Sequence, residues 1–311
     1  MEIKRSRQII IQLDGGLGNQ LFQYCAGFLF SQLTGRQLVL DNTRTRRGNF
    51  VRDRLKANMT IFGITSLIKP RYKIIKNSFL HPFLSINSLA RRAPIYRRRV
   101  TFIDLAVNGS IGTKLKDVDL LSCDTHKTQI RLRGYMQSWS IVKEALNLGF
   151  LNTLDLDKKI NLSSNLANEV EIQRPAVIHF RLKDYSDKEC DLTLPISYYS
   201  NAIALVEEKY PKTPLWYFTD DLELLSEYLT DTLLEKATEI IGPETASDLD
   251  TLLLISRAKF IVMANSSFSY WAAVVSEAEA IYCPKPWFKN YGNSGETVSM
   301  EFHEDWITLD W

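Results

Sequence analysis

The chain has 311 residues, 45% of them hydrophobic and 24% charged, a globular balance that excludes a disordered, collagen-like or low-complexity protein. That length exceeds one comfortable hydrophobic core and suits two domains. A net charge of +2 argues against a polyanion such as nucleic acid, yet it averages unequal parts: 54–103 holds eleven cations and no Asp or Glu, which leaves the remainder at −9.

In chain order, the first strand is predicted at 8–13, a β-branched run too short for a signal-peptide core or a membrane span. With no longer apolar run, the cytoplasm is the expected compartment. Glycines at 15–18 break the strand. A helix is predicted over 19–33, where Leu21, Phe22, Cys25, Leu29 and Leu33 fall near a 3.6 period and Gly35 closes it. A second strand at 37–40 ends at Asp41 and completes a βαβ opening, the signature of a parallel sheet with covering helices. The stretch 44–122 is irregular. Strand character resumes at 129–135 and helix at 141–148. Beyond 165 the alternation returns, with strands at 176–180, 215–218, 259–263 and 280–283 and helices at 248–256 and 269–275. Two α/β halves suggest two Rossmann-like domains facing across a cleft, divided as 1–164 and 165–311. The scattered Cys25, Cys123, Cys190 and Cys283 offer no paired ligands for zinc and read as thiols.

Ligands of open α/β sheets sit beyond the C-terminal strand ends, and four such ends carry chemistry. Asp14-Gly15-Gly16-Leu17-Gly18-Asn19-Gln20 is a strand–glycine loop–helix element through which backbone amides can approach an anion, or a plain tight turn. His179-Phe180-Arg181-Leu182-Lys183-Asp184-Tyr185 delivers His, Arg, Lys and Asp at one strand end, where an Arg fork suits phosphate oxygens and a surface Arg–Asp pair is the plainer reading. Thr219-Asp220-Asp221 offers paired acids for hydroxyls or a metal, or a cap for a helix at 222–229. Ala264-Asn265-Ser266-Ser267-Phe268-Ser269 opens a helix with more hydroxyls than one cap needs, which favours anion binding.

These residues resemble a family, the bacterial α-1,2-fucosyltransferases of glycosyltransferase family 11. Gly15-Gly16-Leu17-Gly18-Asn19-Gln20-Leu21-Phe22-Gln23-Tyr24 is similar to the family's opening motif, and Ala264-Asn265-Ser266-Ser267-Phe268-Ser269-Tyr270-Trp271 to its Ala-Asn-Ser-Ser-Phe-Ser-Trp-Trp. Phe218-Thr219-Asp220-Asp221 and Pro284-Lys285-Pro286-Trp287-Phe288 resemble two further motifs. The family's His-x-Arg-Arg-Gly-Asp-Tyr is altered: Leu182 stands at the second Arg and Lys183 at the glycine. The resemblance implies a GT-B fold, an acceptor-side N-terminal domain and a donor-binding C-terminal domain, with the last residues packing back on the first. It implies transfer from GDP-β-L-fucose, with inversion, to the 2-hydroxyl of a terminal galactose in an oligosaccharide or lipid-linked glycan such as an O-antigen repeat, with no cofactor and no essential metal. Arg181, Asn19, Asp184, His179 and Asp14 are the implied catalytic residues, the last three as alternatives for the base. Gly16, Gly18, Lys183, Asp220, Asp221, Ser266, Ser267 and Phe268 would hold the donor. A carboxylate at Asp248 or Asp250 would meet guanine, with Asp250 favoured.

Two other classes stay open. An NAD-type oxidoreductase is suggested by Gly16-x-Gly18 with Asp41 as a ribose-binding acid, though the third glycine of that fingerprint is Leu21. A non-catalytic nucleotide-sugar or glycan-binding protein is suggested by the altered Leu182 and Lys183. The basic stretch 54–103 interleaves apolar residues and reads as a peripheral contact with an anionic membrane, or as a solvated basic face.

Overall fold

The computed structural model describes residues 7–41, 64, 67–69, 73–75, 100–104, 129–156, 165–183, 185, 192–291 and 296–311. Asp184, Cys123, Cys190 and most of the basic stretch lie outside them. The chain divides into two units, Met1–Asp155 and Leu156–Trp311.

In the first unit, β1 (Gln8–Gln12) is the central strand because Ile9, Ile10 and Ile11 are all apolar and all buried, as a strand covered on both faces requires. Helix α1 (Leu17–Thr34) follows, and Gly35 ends it in the left-handed conformation at φ 63°. The helix is apolar nearly all round because it is covered on both sides. One side lies so close to the sheet that a Cβ on Gly27 would come within 2.5 Å of Ile11 and 2.9 Å of Leu38. The other meets α2 (Trp139–Asn147) and a short 3-10 turn at Phe150–Thr153, where Tyr24 and Phe28 pack on Phe150 with ring centroids 5.2 and 5.5 Å apart. Each aliphatic or aromatic side chain so buried contributes roughly 1.5–3 kcal/mol. β2 (Gln37–Asp41), β3 (Lys73–Ile75), β4 (Val100–Asp104) and β5 (Gln129–Arg133) complete a wholly parallel sheet in the order β3-β2-β1-β5-β4.

The second unit opens with α3 (Leu166–Gln173) and β6 (Ala176–Phe180), then α4 (Ile196–Lys209) and β7 (Leu215–Thr219). Next come α5 (Leu222–Tyr228), α6 (Asp231–Leu234), β8 (Ala237–Ile241), α7 (Asp248–Ser256), β9 (Phe260–Val262), α8 (Ser267–Val274) and β10 (Ala280–Lys285). β11 (Phe288–Tyr291) and β12 (Glu296–Val298) form a separate antiparallel pair, and β13 (Ile307–Asp310) closes the chain. The main sheet is again parallel, ordered β13-β10-β9-β6-β7-β8. The last strand, β13, pairs with β10, Tyr282 opposite Ile307, at the edge of the second unit's own sheet. The physical reason is the edge that β10 would otherwise leave unpaired.

The core of this unit is strongly aromatic, with Phe180 packed on Tyr199, Tyr217 and Tyr228. Tyr198 donates its hydroxyl hydrogen to the carbonyl of Met263 at 2.8 Å, so its polar end is satisfied inside the core. β6 lies between β7 and β9, so the order reverses beside it. The loops after these three strands therefore share one end of the sheet, where the crevice of such a fold forms.

Candidate functional site

The site in the second unit starts from Arg181, the first residue beyond β6. Its guanidinium lies 3.0 Å from the Asp220 carboxylate at the end of β7. The same carboxylate accepts the backbone N–H of Leu182 at 2.8 Å and of Lys183 at 3.2 Å. Asp220 thus folds the β6 loop and aims the arginine in one act, which uses both of its oxygens within the protein. Leu182 turns inward and joins the hydrophobic core at 2% exposure. Its position therefore supplies no charge, while Lys183 is exposed. Asp221 does a different job: it is the N-cap of α5 and accepts the backbone N–H of Leu224.

On the other flank of β6, the loop after β9 reaches α8. Ser266 is its N-cap, accepting the N–H of Phe268 at 3.2 Å, and Ser267 and Phe268 are half-buried beside it. Two ties join this loop to the one after β6. Tyr185 donates its hydroxyl hydrogen to the Asn265 carbonyl at 3.2 Å, and Asn265 donates its amide to Leu192 at 2.8 Å. The Arg181 guanidinium lies 5.7 Å from the Tyr185 ring.

His179 is 5% exposed and its Nδ1 lies 2.5 Å from the Ser269 hydroxyl. Burial first, and the Arg181 charge second, push its pKa down to about 3. It is therefore a neutral imidazole that fastens β6 to the first turn of α8.

The two acids considered for guanine are placed differently. Asp250 is 8% exposed and reciprocally bonded to Ser247, accepting its hydroxyl hydrogen at 2.6 Å and returning a backbone N–H at 3.2 Å, which makes a capping pair at the start of α7. Asp248 is half-buried; desolvation raises its pKa, and Arg181 opposes that rise. Asp248 thus shares an electrostatic environment with the arginine.

In the first unit, the glycine loop is built around Gly15 at φ 76°, where a Cβ would come within 2.7 Å of the Asn19 amide. Asp14 accepts the Gly15 N–H at 3.0 Å, Gln23 accepts the Asp14 N–H at 2.8 Å, and Gln20 donates to the Gly15 carbonyl at 2.9 Å. Gly16 is the N-cap of α1 and has no side chain to cap it, and Gly18 lies buried in the first turn. Asn19 accepts a hydrogen bond from Gln137 at 2.8 Å. Asp41, needed for ribose in the oxidoreductase reading, is 3% exposed and lies 3.6 Å from Arg131 within the sheet. Gln23, Gln137 and Ser269 are residues that sequence reasoning passed over as partners. Among the described residues, no three potential metal-ligating side chains converge, and no helix is long and apolar enough to cross a membrane.

No protein-family profile matches the chain. It is 24% identical over 294 residues to an alpha-1,2-colitosyltransferase of Escherichia coli, covering 90% of this chain and 92% of that protein. It is 26% identical over 320 aligned positions to the O-antigen biosynthesis glycosyltransferase WbnK of Escherichia coli, covering 96% and 99%. These relationships place the chain among the glycosyltransferases. Its fold is similar to the crystal structures of the fucosyltransferase NodZ from Bradyrhizobium, at TM-scores of 0.50 and 0.51 with 16% and 18% identity. Those matches cover 88% of this chain and 94% and 93% of the NodZ chains. The parallel α/β units therefore have the fold of the GT-B glycosyltransferases, as the sequence motifs imply.

Proposed function

We propose that the protein is an inverting α-1,2-fucosyltransferase that moves L-fucose from GDP-β-L-fucose to the 2-hydroxyl of a terminal β-galactose, with 165–311 holding the donor and 1–164 the acceptor. The observation that carries this reading is Arg181, fixed by Asp220 at a reversal of strand order and flanked by the Ser266 end of α8. Such an arginine, with the helix-start amides, stabilises the negative charge that gathers on a departing diphosphate. In the transfer, the galactose O2 attacks the fucose anomeric carbon from the face opposite the phosphate. The anomeric C–O bond breaks, GDP leaves with its electron pair, and the O2 proton passes to a base. Asp14 and Asp184 are the carboxylates offered for that proton. His179 is assigned a positioning role through Ser269.

No metal is assigned to the reaction, since Arg181 and the amides supply the positive field. An alpha-1,2-colitosyltransferase among the relatives favours one second reading, in which the transferred sugar is colitose, the 3-deoxy counterpart of fucose. The WbnK similarity supports an O-antigen glycan as the acceptor, and a cytoplasmic, lipid-linked repeat is the form of it that we propose. A peripheral membrane contact through the basic stretch belongs to the same reading, and binding to anionic vesicles at low salt tests it.

The deciding experiment incubates the protein, with and without EDTA, with GDP-fucose or GDP-colitose and with Galβ1,3GalNAc or Galβ1,4Glc. The expected product is an α-1,2-linked sugar with inverted anomeric configuration, formed equally well in EDTA, and Arg181→Ala loses about 100-fold in rate. No GDP release from either donor with any β-galactoside would refute the assignment. Heat on titrating NAD but none on titrating GDP would transfer the case to the oxidoreductase reading.

A further inference from the structure

The first unit reverses its strand order between β1 and β5, since β2 lies on one side of β1 and β5 on the other. The loop after β5 therefore stands beside the glycine loop after β1, at the place where a sheet of this kind takes its ligand. Gly134, at φ 132°, and Met136, at φ 55°, turn this loop sharply. A non-glycine residue in that region is uncommon, and Met136 is fully buried there. The turn sends Gln137 back to the first turn of α1, where its Nε2 donates to Asn19 Oδ1 at 2.8 Å. Gln137 is 7% exposed, yet its Oε1 has no hydrogen-bond partner among the described residues. A buried amide oxygen left bare loses the full desolvation cost of the group unless a ligand supplies a donor. The first-turn amides of α1 beside it have no side-chain cap.

We propose that Gln137 is a positioning and sugar-binding residue of the transfer reaction: it fixes the Asn19 amide and offers its own carbonyl oxygen to a hydroxyl of the bound sugar. This rests on the transferase reading above. The β5 loop and the glycine loop then act as one unit, and removing either partner of the amide pair releases the other.

The test is a double-mutant cycle in the full chain with Gln137→Met, Asn19→Ala and the double variant. It is read as thermal midpoint, GDP affinity, and kcat and KM with the donor and β-galactoside that the wild type uses. Gln137→Met is expected to keep the midpoint and the GDP affinity and to lower kcat about tenfold or more, and the double variant to be no slower than Asn19→Ala alone. Gln137→Asn, which keeps the amide but withdraws it by one methylene, is expected to show the same loss and guards against misfolding of the Met variant. An unchanged kcat in both Gln137 variants, or losses that multiply in the double variant, would overturn the assignment while the transferase reading stands. A wild type that releases no GDP from either donor overturns the transferase reading, and this inference with it.

Discussion

Acid should weaken the second unit through one residue. His179 has its pKa lowered from 6.5 to about 3 by burial and by Arg181, so the folded chain refuses a proton that the unfolded chain accepts. The stability this preserves is complete above the unfolded value near 6.5. It declines as pH falls below it, by about 1.4 kcal/mol per pH unit, until the folded pKa is reached. At about pH 5 the loss is roughly 2 kcal/mol, a large share of the marginal stability of a domain. Calorimetric unfolding between about pH 7 and 5 should show the second unit's transition falling. His179→Asn, whose side chain can still reach Ser269, should flatten that dependence. The imidazole carbon shifts of His179 should stay constant across the same interval in the folded wild type. A His179 signal titrating between about pH 6 and 7, or an Asn variant with the wild-type pH slope, would refute the argument.

Two further outcomes follow from the site geometry. Gly15→Ala places a Cβ at a φ of 76° and 2.7 Å from the Asn19 amide; it should cost about 1–2 kcal/mol and, by displacing Asn19, lower kcat by up to about 100-fold, read from melting and turnover. Asp220→Asn keeps an oxygen for the Leu182 and Lys183 N–H groups but removes the charge facing Arg181; it should leave the fold intact and weaken GDP binding about tenfold by calorimetry, and an unaltered affinity would separate Asp220 from the arginine.

Much of this architecture is legible in local pattern. The β-branched run at 8–13 and the glycine after α1 gave the first βαβ, and the prediction of a helix at 248–256 coincides with α7. Other elements carry weaker signals. α4 mixes Ile, Tyr, Ser and Val, residues of modest helix propensity, and is held by packing of Tyr198, Tyr199, Ile203 and Val206. β8 and β13 are short, half-exposed strands at the two sheet edges, where partners rather than sequence decide. At the site, residue types were legible and pairings were not. Arg181 with Asp220, His179 with Ser269 and Asn19 with Gln137 are joined only by topology, the last across 118 residues. Asp250 shows the converse: its spacing from Ser247 is a local capping signal that competes with any ligand role.

The strand order of the first unit also sets a timetable for synthesis. β1 is the middle of that sheet, yet β5, its partner on one side, is made only after most of the unit has been translated. At roughly 5–20 residues per second the interval is on the order of ten seconds. Throughout it, Ile9, Ile10 and Ile11 have one open backbone edge on the nascent chain, and the glycine loop lacks its Gln137 neighbour. A truncation before Gln129 therefore leaves β1 with an unpaired edge, and the shortened fragment is expected to aggregate where the full chain stays dispersed, as light scattering would show.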